Sequence, residues 1–562
     1  MQAAPCGIPA PVIGGWSGSK RWTVAAYLPL GVFLLLILST FSDYGVTYDE
    51  DSRYAYGEYI IRWYASGFRD RIALRSAVTL EGGFFPVLAR LAGRARPRQQ
   101  FERGHLVNAL FGLTAAFGAY RLARYLAGPL AGFLATLFLI AVPRFYGNAF
   151  NNPADIPFAA LHILFLDCLV RAVPRLPDLP KRDWVRLGLW LGLALAVRPG
   201  AVLLVFYLGL TLTLWLTGRW YAGSLRADRR ANFRSPAARL ALVFASISAI
   251  AYGVMLLWWP AAQVRPIVQP AKALWFASHY PHRFSELFEG RSVPIAELPR
   301  YYVSKWFLIT LPEYFLIALA VGVLSMLASL RRLSRSDAGT DRFVQHAVVL
   351  AAALLPLVYT LAAKPAEYDA GRHYLFFLPP LAVLAAMAVA KTVEVPRFPY
   401  ARGLVLLPLG ASLAVTAVSM WRLHPHQYVF FNRILGKGLP EAAKSFETDY
   451  WGNSYKEGVE WLAQNYRPGL SKPKVASCSD ARSTSYFLPQ DRFDYVGSYN
   501  HGQPISAPPD FLVATTRWDC HKIVDGVVIH TVERLGTPLL YVKAVSAPAR
   551  NGAWGNWTKR TP

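Results

Sequence analysis

Apolar residues in this chain arrive in long unbroken blocks separated by short basic connectors. They do not follow the alternating or every-third-residue spacing of soluble elements. The first block, 22–42, reads WTVAAYLPLGVFLLLILSTFS and carries no charge. About 20 such residues take a helix across the hydrocarbon of a bilayer. Comparable blocks lie at 105–127, 128–142, 156–171, 186–198, 199–217, 237–260, 304–330, 343–362, 373–390 and 402–421. The pattern predicts a mainly α fold, a polytopic transmembrane helical bundle of about eleven spans. The first block is a poor signal peptide: its apolar stretch is too long, Lys20-Arg21 comes late, and no small-residue cleavage site follows.

The connectors orient the spans. With Lys20-Arg21 in the cytoplasm, that side also receives 121–124, 171–186, 218–239, 331–342 and 391–402, all of them basic, as the positive-inside rule requires. The other side receives 43–104, 143–155, 260–303, 363–372 and everything after 421. The predicted organisation is a cytoplasmic tail at 1–21, a transmembrane body at 22–421 and a periplasmic or extracellular domain at 422–562. Within the outer loop 43–104, YAYGEYIIRWYASGF has the spacing of a helix lying in the membrane interface. Beyond Trp421 the pattern changes to period two. SYKEGVEWLAQNY reads as a helix, and PKVASCS, FDYVGSY, DFLVATTRW, GVVIHTVER and PLLYVKAV read as strands, the last two turning near Gly536. This is a small α/β domain.

Composition changes the picture in two ways. The 562 residues carry a formal net charge of +25. In a soluble protein that balance suggests nucleic acid. Here it is distributed over membrane connectors, so membrane lipids are expected partners and nucleic acid is not. Of the four cysteines, Cys478 and Cys520 fall in the outer domain, where an oxidising compartment allows a disulfide and free thiols are the alternative. No CxxC or His–Cys grouping suggests zinc.

Two acidic motifs, TYDED at 47–51 and NNPADIP at 151–157, fall on the same side by this count. Acids there commonly just cap helices and meet solvent. Asp155, however, sits where Asn151, Asn152, Pro153 and Pro157 impose irregular backbone, which near membrane depth is tolerated only around protein or a wet cavity. The segment KPAEYDAGRHYLFFLPP at 364–380 brings Lys364, Asp369, Arg372 and His373 to the same surface, and Lys305 is a weaker cation candidate. Arginine grips phosphate through paired hydrogen bonds. An acid beside such a cation fits group transfer from a lipid phosphate: the acid takes a proton from the attacking hydroxyl, and cations stabilise the departing phosphate. Asp49 and Asp155 are also candidate ligands for Mg²⁺ or Mn²⁺. No P-loop or Rossmann glycine pattern is present, so a nucleotide donor is not expected.

Taken with these acids, TYDE (47–50), RGHLVNALFG (103–112), PRFYGNAFNNPADIPFA (143–159), LPRYYVSKWFLITLPEYF (298–315), YDAGRHYLFFLPPLA (368–382), HPHQYVFFNRILG (424–436) and FETDYWGNSYKEGVEWL (446–462) resemble the GT-C superfamily of polytopic glycosyltransferases. The resemblance is to the bacterial branch of family 39, the protein O-mannosyltransferase-like and aminoarabinose transferase-like enzymes. It implies transfer of a sugar from a polyprenyl-phosphate carrier on the outer face, with inversion, to a lipid, glycan or protein acceptor. A divalent cation serves some branches. By resemblance Asp49 is the base or a metal ligand, Glu50 supports it and Asp155 is the second outer-loop acid. Arg372 and His373 face the donor phosphate. The chain lacks the β-trefoil insertion of eukaryotic relatives and has Ala154 where many relatives carry lysine. Two other classes compete with this expectation. One is a transporter or flippase for a lipid or small anion, which would place charges near the bilayer midplane and show repeated halves. The other is a membrane-anchored binding protein working through its C-terminal domain.

Overall fold

A computed structural model describes residues 25, 27–223, 234–279, 284–331, 336–394, 401–466, 471–479, 481–500 and 504–546. The expected tail 1–21 lies outside them. Every apolar block forms helix: Tyr27–Thr40, Gln100–Ile140, Asp155–Ala172, Lys181–Leu195, Val202–Tyr221, Arg234–Leu257, Tyr302–Thr310 followed by Glu313–Arg331, Asp337–Ala363, Leu378–Glu394 and Ala401–Leu423. Among the described residues, seven helices are long and apolar enough to cross a membrane, or eight if the pair Tyr302–Thr310 and Glu313–Ala328, bent by 119°, counts as one span.

The difference from eleven has physical causes. Gln100–Ile140 is a hairpin, not one rod. Ala127 and Gly128 leave helical geometry, Gly128 at φ 86°, and Pro129 follows. A Cβ on Gly132 would lie 2.8 Å from the Tyr120 ring and 3.0 Å from Arg124. A straight helix would separate those residues by about 18 and 12 Å along its axis. The second arm of the hairpin is short. Lys181–Leu195, with 15 residues, is also short, since about 22 Å of helix falls below the hydrocarbon thickness.

The basic connectors meet at one end of the bundle. Arg121 and Arg171 both pair with Asp167 at 2.8 Å, Arg239 with Asp178 at 2.9 Å and Arg219 with Asp341 at 2.9 Å. The opposite end carries the helix Glu50–Ala65, the helix Phe84–Arg94, and a hairpin of β1 (Ser285–Phe288) and β2 (Arg291–Pro294). Leu404, Leu407, Val418 and Trp421 leave a broad apolar face on Ala401–Leu423, as contact with hydrocarbon requires.

Past the bundle, all five strand-like runs form one sheet. β3 (Lys474–Cys478), β4 (Asp494–Ser498), β5 (Phe511–Thr515), β6 (Val527–Arg534) and β7 (Thr537–Ala544) lie in the order β4-β3-β5-β7-β6. β3 runs parallel to β4 and β5, and β7 antiparallel to β5 and β6. The β6–β7 turn uses Leu535 and Gly536 at φ 51° and 75°, the left-handed pair that matches strand twist in a two-residue hairpin. Helix Tyr455–Asn465 seats Val459 and Leu462 against Val475, Val513 and Val542 on one face. On the other, Cys478 and Cys520 form a disulfide. Residues 424–454 belong to the membrane body instead. Tyr428, Phe430 and Trp451 enter its core, and Asn432 donates to the Leu308 and Leu311 carbonyls at 2.6 and 2.8 Å. The sheet unit therefore begins near Tyr455 and not at 422; with no long apolar run, 424–454 looks soluble in sequence.

The disulfide closes a separation of 42 residues, for which chain entropy gives about 4 kcal/mol. Substituting both cysteines with serine is expected to destabilise the sheet unit by about that amount, read as earlier protease nicking of the C-terminal region in a urea series.

Candidate active site

The acidic turn is built by close backbone approach. A Cβ on Gly45 would lie 2.3 Å from the Asn453 carbonyl oxygen, so only glycine fits. Asn453 Oδ1 accepts from Gly45 N–H at 2.7 Å and from Asn151 Nδ2 at 2.9 Å. Three distant segments are thus joined beside Asp49. The Thr47 N–H donates to Glu50 Oε2 at 2.7 Å, and its hydroxyl donates to the Asn151 carbonyl at 3.0 Å.

Glu50 is fully buried, accepts from the Tyr54 hydroxyl at 3.0 Å and lies 2.9 Å from His105 Nε2. These contacts tie Glu50 into the turn on which Asp49 sits.

Asp155 opens its helix, where the dipole favours a carboxylate. Its N–H donates to Asn152 Oδ1 at 3.0 Å, and Asn152 Nδ2 donates to Asp155 Oδ2 at 2.9 Å. Its other oxygen pairs with Arg198 at 2.8 Å.

Arg372 joins the pieces. Nη2 donates to Asp49 at 3.1 Å, Nη1 to Asp155 at 3.3 Å and Nε to Asp369 at 3.1 Å. Its guanidinium lies 4.2 Å from the ring centroid of Trp451, a cation–π seat. Only 3% of its side chain is exposed, against 33% for Asp49. Asp49 is thus the open edge of an otherwise sealed cluster. The backbone that presents Arg372 is strained: Asp369, Ala370 and Gly371 take φ of 52°, 59° and 68°, a region that non-glycine residues occupy at a cost of about 1–3 kcal/mol each. Hydrogen bonds hold it. Arg144 donates to the Ala370 carbonyl at 2.7 Å, Ala370 N–H donates to the Tyr302 hydroxyl at 2.9 Å, and Glu286 accepts from Asp369 N–H and from Tyr302.

A second rank of charge surrounds these groups. Arg53 pairs with Glu81. Burial raises the Asp49 pKa, but Arg372, Arg53 and Arg198 outweigh it and hold the carboxyl below the usual carboxylate range. Burial and the neighbouring Asp369 push Glu286 up to about 7.

Arg53, Glu81, Arg198, Trp451 and Arg517 were not singled out in sequence. Arg53 lies one helical turn after Asp49, a spacing that could have drawn attention to it. Arg198 is a lone cation between two apolar helices. Arg517 carries no local signal at all. His373 stands against the Tyr368 ring, centroids 4.5 Å apart, and is not among the groups that Arg372 gathers. Lys305 pairs with Glu289 at 3.3 Å on the β1–β2 hairpin side, 38% exposed, and is not drawn into the Arg372 cluster.

The expected metal pair does not fit. Among the described residues no three of His, Cys, Asp and Glu gather as a ligand set. The space between Asp49 and Asp155 is taken by the Arg372 guanidinium, and a divalent cation there would face that charge directly.

Comparison with known proteins is consistent with this architecture. Residues 99–227 match the family described as dolichyl-phosphate-mannose-protein mannosyltransferase, a stretch that holds Asp155 and Arg198 but neither Asp49 nor Arg372. ArnT from Cupriavidus metallidurans, solved bound to undecaprenyl phosphate, is similar with a TM-score of 0.51 and 15% identity, over 94% of this chain and 99% of that one. Over nearly its whole length the chain shares its fold with that protein. The Archaeoglobus fulgidus oligosaccharyltransferase is similar with a TM-score of 0.51 and 12% identity, over 86% of this chain and 65% of that one. None of the curated protein sequences compared matches this chain. Within this fold, the cluster sits in loops gathered over the helix ends opposite the basic connectors.

Proposed function

We propose that this chain is an integral-membrane glycosyltransferase. It moves a sugar from a polyprenyl-phosphate carrier to a hydroxyl or phosphate of a lipid, glycan or protein, with inversion. The observation that carries this reading is the Arg372 fork, which joins Asp49 and Asp155 from separate loops at one end of the bundle. The likeness to ArnT, solved with undecaprenyl phosphate, supports the choice of carrier.

The chemistry follows from the geometry. The carrier phosphate competes for the guanidinium edge that Asp49 holds, with Arg198 and Arg53 adding charge nearby. Displaced from Arg372, Asp49 loses the partner that lowers its pKa most and becomes a stronger base. It then takes the proton of the acceptor hydroxyl as that oxygen attacks the anomeric carbon. The arginines stabilise charge on the departing phosphate from the opposite side, which is the arrangement that inversion needs. The carrier tail lies along the apolar helices, at about 0.8 kcal/mol per buried methylene.

The site faces away from the cytosol in this reading. The basic connectors gather at the other end, and the outer sheet holds a disulfide, a bond of oxidising compartments. A transporter gains no support: the charges sit at one end of the bundle and the fold is that of glycosyltransferases.

Purified protein in lipid vesicles, given a polyprenyl-phosphate sugar and acceptor, is expected to release polyprenyl phosphate; no release with any envelope acceptor contradicts the reading. The pH dependence has a definite sign. Asp49 is held below the usual carboxylate pKa, so in the free enzyme it stays ionised as pH falls to about 4. Plotted against pH, kcat/KM should show no carboxylate inflection between about 4.5 and 6; an inflection there that disappears in Asp49→Asn would contradict this account.

A further inference from the structure

The C-terminal sheet reaches the cluster through one buried side chain. Arg517 follows β5, is 2% exposed, and donates from Nη2 to Asp369 Oδ1 at 2.7 Å. The other oxygen of that carboxylate accepts from Arg372 Nε at 3.1 Å. Asp369 is thus shared, one oxygen each, between an arginine of the outer sheet and the arginine facing Asp49. Arg517 also donates to the Tyr450 carbonyl, lies 3.7 Å from Glu286 and stacks 4.1 Å from the Trp518 ring centroid.

Both ends of this bridge are conformationally special. Trp518 and Asp519 each take φ 54°, as Asp369 and Ala370 take 52° and 59°. Left-handed non-glycine pairs persist only where surroundings over-determine them. The surroundings are visible. Trp518 Nε1 donates to the Ser285 carbonyl at 2.9 Å, fixing the turn to β1, and the next residue, Glu286, accepts the Asp369 N–H. One residue past Asp519, Cys520 is bonded to Cys478 at the end of β3. A sheet that merely capped the bundle would have no need to bury an arginine, since desolvating that charge is costly without a specific partner.

We propose that Arg517 is a positioning residue: carried on the turn anchored by Cys520, it sets the place of Arg372 through Asp369, so that the outer sheet governs the grip on the donor phosphate. This rests on the reading of Arg372 as the donor-phosphate ligand.

The test uses the full-length protein in detergent and undecaprenyl phosphate as the probe, with folding checked by thermal melting and an intact disulfide. Arg517→Ala is expected to weaken binding about tenfold, and Arg517→Lys, which keeps charge but loses the fork, about threefold. In an Arg372→Lys background, Arg517→Ala should change binding by less than about twofold, because the residue acts through Arg372. If Arg517→Ala does not fold, Arg517→Lys and Asp369→Asn carry the same comparison. Unchanged binding in folded Arg517 variants overturns the proposal, as does a loss of equal size in both backgrounds. Wild-type binding by Arg372→Lys itself would instead remove the donor-site reading beneath it.

Discussion

Asp49→Asn is expected to lower kcat by about 100- to 10,000-fold, the span that general-base groups contribute, while leaving the carrier bound. The substitution preserves shape and removes the negative charge together with the ability to take a proton. Binding should hold or tighten. Asp49 occupies one edge of the Arg372 fork at 3.1 Å, and a neutral amide competes for that edge less strongly than a carboxylate does. Stability should hold too, because Asp49 is the exposed member of the cluster, and Arg372 keeps Asp155 and Asp369 as partners. Steady-state rates with a direct measurement of undecaprenyl phosphate binding separate the two effects. A variant that keeps kcat within about threefold would remove Asp49 from the chemistry.

Arg372 should respond in the opposite way, through binding and folding. It is buried and serves three carboxylates from three segments. Truncation to alanine leaves Asp155 with Arg198 and Asp369 with Arg517, each short of one counter-charge. Removing one partner of a buried ion network costs about 3–5 kcal/mol, so Arg372→Ala is expected to melt well below wild type or to fail in purification. Arg372→Lys keeps the charge. An ammonium is a point donor on a flexible stem and cannot reproduce the planar fork that spans Asp49, Asp155 and Asp369. It should fold and bind undecaprenyl phosphate at least about tenfold more weakly. Melting curves and binding isotherms check both variants; wild-type binding by the lysine variant contradicts the role assigned to this side chain.

The parts of the site legible in sequence were those with a local signature. Asp49 and Asp155 announce themselves as acids in short motifs at the edges of apolar blocks, and Arg372 as a cation in the same register of the topology. The strands of the C-terminal sheet were legible because period two and turn chemistry are local. Other features depend on tertiary contact. Glu50 looks equivalent to Asp49 in sequence, and its buried partners Thr47, Tyr54 and His105 tell it apart. Trp451 and Arg517 come from a region with no membrane signature, yet one stacks on Arg372 and the other holds Asp369. The break at Gly128 was legible too: the sequence divides 105–127 from 128–142, and the backbone leaves helical geometry at Ala127 and Gly128.

The most direct test of the central claim, that Asp49 and Arg372 form a sugar-transfer site fed by a polyprenyl phosphate, is mass spectrometry of envelope lipids, glycans and proteins from a strain lacking this chain. The strain should be complemented with wild type or with Asp49→Asn. One envelope component is expected to lose a sugar in the deletion strain, regain it with wild type and stay bare with Asp49→Asn. An envelope unchanged by the deletion, or restored equally by the asparagine variant, would contradict it.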